Sequence, residues 1–124
     1  MAPMTPKEFE AWAALSRSFH GNRYVLPLAA WLLRDDVEAA SASEAMAGLG
    51  GLAERVRVLD GLTRLVEIGA MEEMPRHGAR NSPRYFARAK SPYWALVAAY
   101  APEIEQGDLS PGSELGQQRS VSSP

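Results

Sequence analysis

The stretch that decides the fold reads Ser41-Ala42-Ser43-Glu44-Ala45-Met46-Ala47-Gly48-Leu49-Gly50-Gly51-Leu52 and continues as Arg55-Val56-Arg57-Val58-Leu59-Asp60-Gly61-Leu62-Thr63-Arg64-Leu65-Val66-Glu67-Ile68-Gly69. Ser41 and Glu44 have the spacing of a capping box, in which each side chain takes up the other residue's backbone N–H. A short helix is predicted from Ala42 to about Leu49. Gly48, Gly50 and Gly51 then mark a tight corner. From Leu52 to Ile68 apolar residues recur at three- and four-residue steps, the signature of a longer helix. Val56, Leu59, Leu62 and Val66 are assigned to its inner face, and Arg57, Asp60, Arg64 and Glu67 to the opposite one. Gly69 stands where a left-handed C-terminal cap is needed. Gly61, mid-helix, costs about 1 kcal/mol relative to Ala and puts the straightness of the helix in question.

Upstream, Thr5-Pro6 is an N-cap followed by proline at the first helical position. Phe9, Trp12, Leu15 and Phe19 form a helical stripe that ends at Gly21-Asn22. Asn22 is placed to cap a second helix carrying Val25, Leu28, Ala29 and Leu32, with Pro27 expected to delay its start or kink its first turn. Downstream, Ala70 to Met74 reads as a short strand. Pro75 to Pro83 has turn chemistry. Tyr85 to Ala89 reads as a returning strand with Tyr85 and Phe86 on opposite faces, and Ser91-Pro92 opens a last helix. Beyond Tyr100 the chain turns to Ser, Pro, Gly and Gln. Residues 104–124 are therefore read as a flexible acidic tail, following one folded domain over 1–103.

The chain has 124 residues, no cysteine and a formal net charge of −2. A disulfide framework, thiolate zinc sites and a cysteine nucleophile are excluded. The longest apolar run, Tyr24 to Leu33, falls short of the ~20 residues that span a bilayer. Met1 to Glu10 lacks the apolar core of a secretory signal. A cytoplasmic protein without membrane partners is expected. No metalloprotease, nucleophile-elbow or phosphate-loop spacing occurs. His20 adjoins a helix end, where a cation suits the dipole. Glu72 and Glu73 point to opposite faces of a strand and cannot share one acid–base site. Neither an enzyme nor a cofactor or metal site is expected.

A short capped helix, a glycine corner, a longer helix and a hairpin together resemble the winged helix-turn-helix domain of bacterial transcriptional regulators, in the style of the MarR, ArsR and PadR-like group. Ser41 to Met46 resembles the opening of the motif's first helix. Arg55 to Leu59 with Leu62 to Val66 resembles its recognition helix, and Leu65 to Met71 its exit into the first wing strand. The resemblance implies a mainly α fold with a small β-hairpin wing, the recognition helix at about 52–68 and the wing at about 70–90. It also implies double-stranded DNA as partner, transcriptional regulation as function, and flanking helices that build a homodimer. The double glycine Gly50-Gly51 departs from the group, where a polar cap is common.

Local charge points the same way. Arg55, Arg57, Arg64, Arg76, Arg80, Arg84, Arg88 and Lys90 face only Asp60, Glu67, Glu72 and Glu73 between positions 55 and 90. Basic residues gain affinity for a duplex by releasing condensed counterions from phosphates. Arg76, Arg80, Asn81 and Arg84 are assigned to the wing, and Arg55 to a phosphate. Arg57 and Arg64 have two readings: a bidentate fork to guanine in the major groove, or ion pairs with Asp60 and Glu67 on the same helix face. Trp12, Phe19, Trp31, Tyr93, Trp94 and Tyr100 are read as building the core or a subunit contact; of these Trp12, Trp31, Tyr93 and Trp94 are assigned to a dimer interface, with Trp31, off the apolar stripe of its helix, as the anchor. A small-molecule effector fits such a regulator, but no residue pattern points to one. The alternative is a winged-helix protein–protein interaction module without DNA binding.

Overall fold

The computed structural model describes residues 3–75 and 83–105. Among them, five helices and three strands follow in the order α1 (Pro6–His20), α2 (Val25–Arg34), β1 (Ala39–Ser41), α3 (Ala42–Gly48), α4 (Arg55–Glu67), β2 (Met71–Glu73), β3 (Tyr85–Arg88) and α5 (Pro92–Glu105). The protein is mainly helical with one small antiparallel sheet, an arrangement compatible with a winged-helix-like fold.

The middle of the core is α2. Every residue from Val25 to Leu32 is buried, and α1, α4 and α5 all pack on this helix. A helix apolar on all sides has to be enclosed in this way. Trp31 is therefore a core residue: it is 6% exposed and lies against Gly48 of α3. Trp12 is equally enclosed at the α1–α2 contact. A stripe read from α2 alone leaves Trp31 outside, but neighbours cover this helix all round.

The predicted opening of α1 is present. Thr5 Oγ1 accepts from the Glu8 N–H at 3.2 Å and Gly21 closes the helix with φ 67°. Asn22 does not cap α2. Its Oδ1 accepts from Tyr24 N–H at 2.7 Å, just ahead of the helix. The buried Ser16 hydroxyl meets α2 instead, accepting from Leu26 N–H at 3.0 Å while donating to the Asn22 carbonyl at 2.6 Å. Pro27 lies within the first turn of α2, where its missing N–H breaks no helical bond.

The capping box of α3 is complete: Glu44 N–H reaches Ser41 Oγ at 3.3 Å, and Ser41 N–H reaches Glu44 Oε1 at 3.0 Å. At the corner, Gly50 N–H bonds to the Ala47 carbonyl and Gly51 N–H to that of Met46. This is the paired closure of a helix by a left-handed residue. Gly50 has a second reason to be glycine. With φ 69°, a Cβ there would come 2.7 Å from the carbonyl oxygen of Met4, whose own N–H bonds to the Gly48 carbonyl.

In α4 the expected inner face is rotated. The buried residues are Val58, Gly61, Leu62 and Leu65; Leu59 and Val66 are half-buried, and Val56 is 68% exposed. Gly61 explains the rotation. A Cβ there would fall 2.5 Å from Leu28 Cδ1 and 3.3 Å from the Tyr24 carbonyl oxygen, so its bare backbone lets α4 seat closely on α2. The helix continues through Gly61 and ends at Ile68, with Gly69 at φ 81°.

The sheet order is β1-β3-β2, antiparallel throughout, with Ala40 opposite Phe86 and Met71 opposite Arg88. Phe86 is buried and Tyr85 is exposed, as the alternation requires. The sequence reading has β2 and β3 but lacks β1. At the other end, α5 runs through Pro102 to Glu105, and Ile104 is 5% exposed in the core. The tail boundary at 104 is corrected: residues 104 and 105 belong to the helix, while 106–124 lie outside the described residues. No described helix is long and apolar enough to cross a membrane.

Candidate nucleic-acid interface

The outer surface of α4 begins at its uncapped first turn. Glu54 at the N-cap makes no side-chain bond to the helix. Arg55, Val56 and Arg57 fill this turn, where backbone N–H groups lack intrahelical acceptors. Arg55 reaches back to α3, its Nη1 donating to Ser43 Oγ at 3.2 Å. Arg57 is exposed and forms no hydrogen bond or ion pair among the described residues. Thr63 is exposed, but its hydroxyl is spent on the Leu59 carbonyl at 2.9 Å.

Arg64 follows the ion-pair reading. Its Nε donates to Asp60 Oδ2 at 3.0 Å, and Asn22 Nδ2 donates to the same oxygen at 3.1 Å. The partner is Asp60, one turn back, rather than Glu67. Arg64 therefore helps bind α4 to the α1–α2 turn. Its charge also bears on His20. Burial first, and Arg64 second, hold the His20 imidazole below its ordinary value of 6.5. His20 Nε2 lies 2.9 Å from the Tyr93 hydroxyl, whose own ionisation burial pushes up. The expectation of a cationic histidine favoured by a helix end is thus reversed.

The stem of the β2–β3 hairpin is less basic than the sequence count implies. Arg84 forms a two-pronged pair with Glu73, at 2.8 and 2.9 Å, and lies over the Phe86 ring at 5.2 Å. The Glu73 hydrogen bond holds its guanidinium above its ordinary value. Arg88 pairs with Asp36 at 2.9 Å and covers Trp94 at 5.6 Å. Asp36 sits in a left-handed conformation at φ 53° just past α2. Lys90 is exposed. Arg76, Arg80 and Asn81 lie outside the described residues; residues 76–82 carry two arginines and no acid.

The residues assigned to a dimer interface separate into two groups. Trp12 and Trp31 belong to the core and offer no surface to a partner. Tyr93 and Trp94 are half-buried, and their polar atoms are taken within the chain. Trp94 Nε1 donates to the carbonyls of Ala70 (3.1 Å) and Ala89 (3.0 Å), fastening α5 to the sheet. The exposed residues of α5 are Pro92, Ala95, Ala98, Ala99, Pro102 and Glu103, and no charge occurs from Pro92 to Pro102. Beside this helix Phe19, 45% exposed, stacks edge-on against Tyr100 at 5.6 Å. Sequence reasoning missed this surface because alanines carry no aromatic signal. The absence of charge was the available clue.

A cleft of about 210 Å³ opens between α1, α2 and α5, lined by Trp12, Leu33, Val97 and Ala101 with Glu8 and Arg34. Arg34 is committed there to Glu8 at 3.1 Å and Asp35 at 3.0 Å.

No family model matches the chain, and no curated protein matches it. Among solved structures, the crystal structure of RV1404 from Mycobacterium tuberculosis is similar over 90% of this chain and 78% of that one, with 13% identity and a TM-score of 0.48.

Proposed function

We propose that this chain is a winged helix-turn-helix protein that binds double-stranded DNA as a homodimer and regulates transcription by occupancy. The observation that carries the reading is the α3–α4 unit. A capped short helix and a left-handed corner present a second helix whose first turn is solvent-facing and holds the uncommitted Arg57. The succession α2-β1-α3-α4-β2-β3, with β3 between the other strands, supports the winged form. In helix-turn-helix docking the N-terminal residues of the second helix meet base edges, which assigns Arg57 to a base and Arg55 to a phosphate. Residues 76–82 add Arg76 and Arg80 without an acid. Two copies related by a two-fold axis address half-sites about 34 Å apart, and the charge-free stretch of α5 from Pro92 to Pro102 is the face that suits the contact between them.

Titration with a random-sequence duplex tests this reading. Neutralising four phosphates implies about a hundredfold loss of affinity between roughly 50 and 200 mM salt. Arg80→Ala should weaken binding equally for all sequences, and Arg57→Ala should relax preference at one base pair. No retention of any duplex by the full chain at low salt refutes the reading.

A second reading, a protein-interaction module on the same fold, is favoured by one observation. The outer face of α4 also carries Asp60 and Glu67, and the apolar Leu52 and Val56 are exposed. Under that reading the chain retains no duplex, and binding to its partner is insensitive to Arg80→Ala.

A further inference from the structure

Val56 is the residue of α4 with no local reason to be apolar. It is 68% exposed, so it gains little from burial. A β-branched side chain on an exposed helix position also loses rotamer freedom and is a poorer helix former than Ala, Arg or Lys. Its outward direction is enforced by the packing. Gly61 seats α4 on α2 against Leu28 and Tyr24, Arg55 ties the first turn to Ser43, and Asn22 with Arg64 holds Asp60 on the other flank. With about 3.6 residues per turn, Val56 then projects from the side opposite Val58, Leu62 and Leu65. It stands in the first turn next to Arg57, a cation with no pairing among the described residues.

We infer that Val56 is a specificity-determining residue that reads the C5-methyl group of a thymine in the major groove, beside a base contacted by Arg57. The inference rests on the DNA-binding reading and deepens it by naming part of the half-site. The major groove presents one apolar group, the thymine methyl, and apolar side chains recognise it by contact. Two methyl-bearing branches on a fixed helix turn suit that contact. The neighbouring polar groups do not compete for it, because the Thr63 hydroxyl is bonded to Leu59 and Asp60 is held by Asn22 and Arg64. The preferred half-site therefore contains a thymine next to the position that Arg57 reads.

The test uses duplexes selected by the full chain from a random pool, remade with deoxyuridine in place of each thymine in turn. Deoxyuridine pairs as thymine does and lacks only the methyl. For the wild-type chain, one substitution per half-site should weaken binding about fourfold, the equivalent of ~0.8 kcal/mol for a buried group of methyl size. Val56→Ala should reduce that thymine-to-deoxyuridine ratio below about twofold with an unchanged melting temperature. Arg57→Ala should retain the ratio while losing preference at the adjacent base pair. Indifference of the wild-type chain to every deoxyuridine, or full methyl discrimination by Val56→Ala, overturns the role of Val56 while DNA binding itself stands. Failure of the wild-type chain to retain any duplex overturns both.

Discussion

Helices α4 and α5 lean on the same helix, α2, yet their outer faces differ. Outside, α4 carries Arg57, Asp60, Thr63, Arg64 and Glu67 around a single exposed valine. Outside, α5 shows prolines and alanines with no charge before Glu103, although Val97 and Ile104 are its only fully buried residues among those described. Burial therefore does not separate the two helices; the chemistry of the uncovered side does. A charged face keeps water or meets a polyanion. An uncharged helical face in water is the mark of a surface that another apolar surface covers.

The largest expected effect removes a core side chain of the helix that both lean on, at Trp31 against Gly48 of α3. Trp31→Ala should cost about 3–5 kcal/mol of folding stability, read by denaturant unfolding of the chain. A variant that is stable but merely dissociated would return Trp31 to an interface. Next, Gly61→Val forces a side chain between α4 and Leu28 and should cost about 1–3 kcal/mol, with duplex binding lost in proportion to the displacement of α4. An unchanged melting curve would show that α4 is not seated by its glycine. Third, Ala95→Glu with Ala99→Glu should raise the dissociation constant of the proposed dimer tenfold or more in sedimentation equilibrium. Stability of the single chain should move by less than about 0.5 kcal/mol, as exposed positions do. Undiminished association would mean that the outside of α5 is not the contact.

The smallest effect is a pH slope. His20 is held below 6.5 when folded, so between that lowered value and 6.5 the unfolded chain binds the extra proton. Stability should therefore be complete above pH 6.5, decline as the pH falls below it, and level off under the folded value. His20→Gln should flatten this part of the profile in thermal melts taken across that range. Equal slopes in both chains would exclude the histidine as their source.

What was legible in the sequence was local. The Thr5-Pro6 start, the Ser41–Glu44 box and the glycine after Ile68 fix element ends through neighbouring atoms, and the structure has them where they were expected. The missing pieces depend on distant partners. Ala39–Ser41 has little strand character of its own and is a strand because β3 lies beside it. Crowded apolar residues in α4 allow more than one inner face, and only the close approach of Gly61 to Leu28 selects one. The charge count did not show which acids hold Arg84 and Arg88, because Glu73 and Asp36 reach them through the fold. Of the candidate interface, Arg55 and Arg57 are exposed as expected, while Trp12 and Trp31 were misplaced because an aromatic residue has the same sequence signature in a core and at a contact. The turn to Ser, Pro, Gly and Gln beyond Tyr100 put the tail from 104, yet α5 runs on to Glu105 and buries Ile104.

The hydrogen bond from Met4 to Gly48 has a mechanical consequence. Just ahead of α1 the chain grips the corner after α3, and just beyond α1 Asn22 grips Asp60 on α4. The two attachments are separated by a helix about 22 Å long, at ~1.5 Å per residue. The first helix thus works as a brace across the α3–α4 pair, and tilting that pair within one chain breaks a bond at one end or the other. In an assembly of two copies, the distance between their α4 helices is then adjusted at the joint between the copies, not by bending either one.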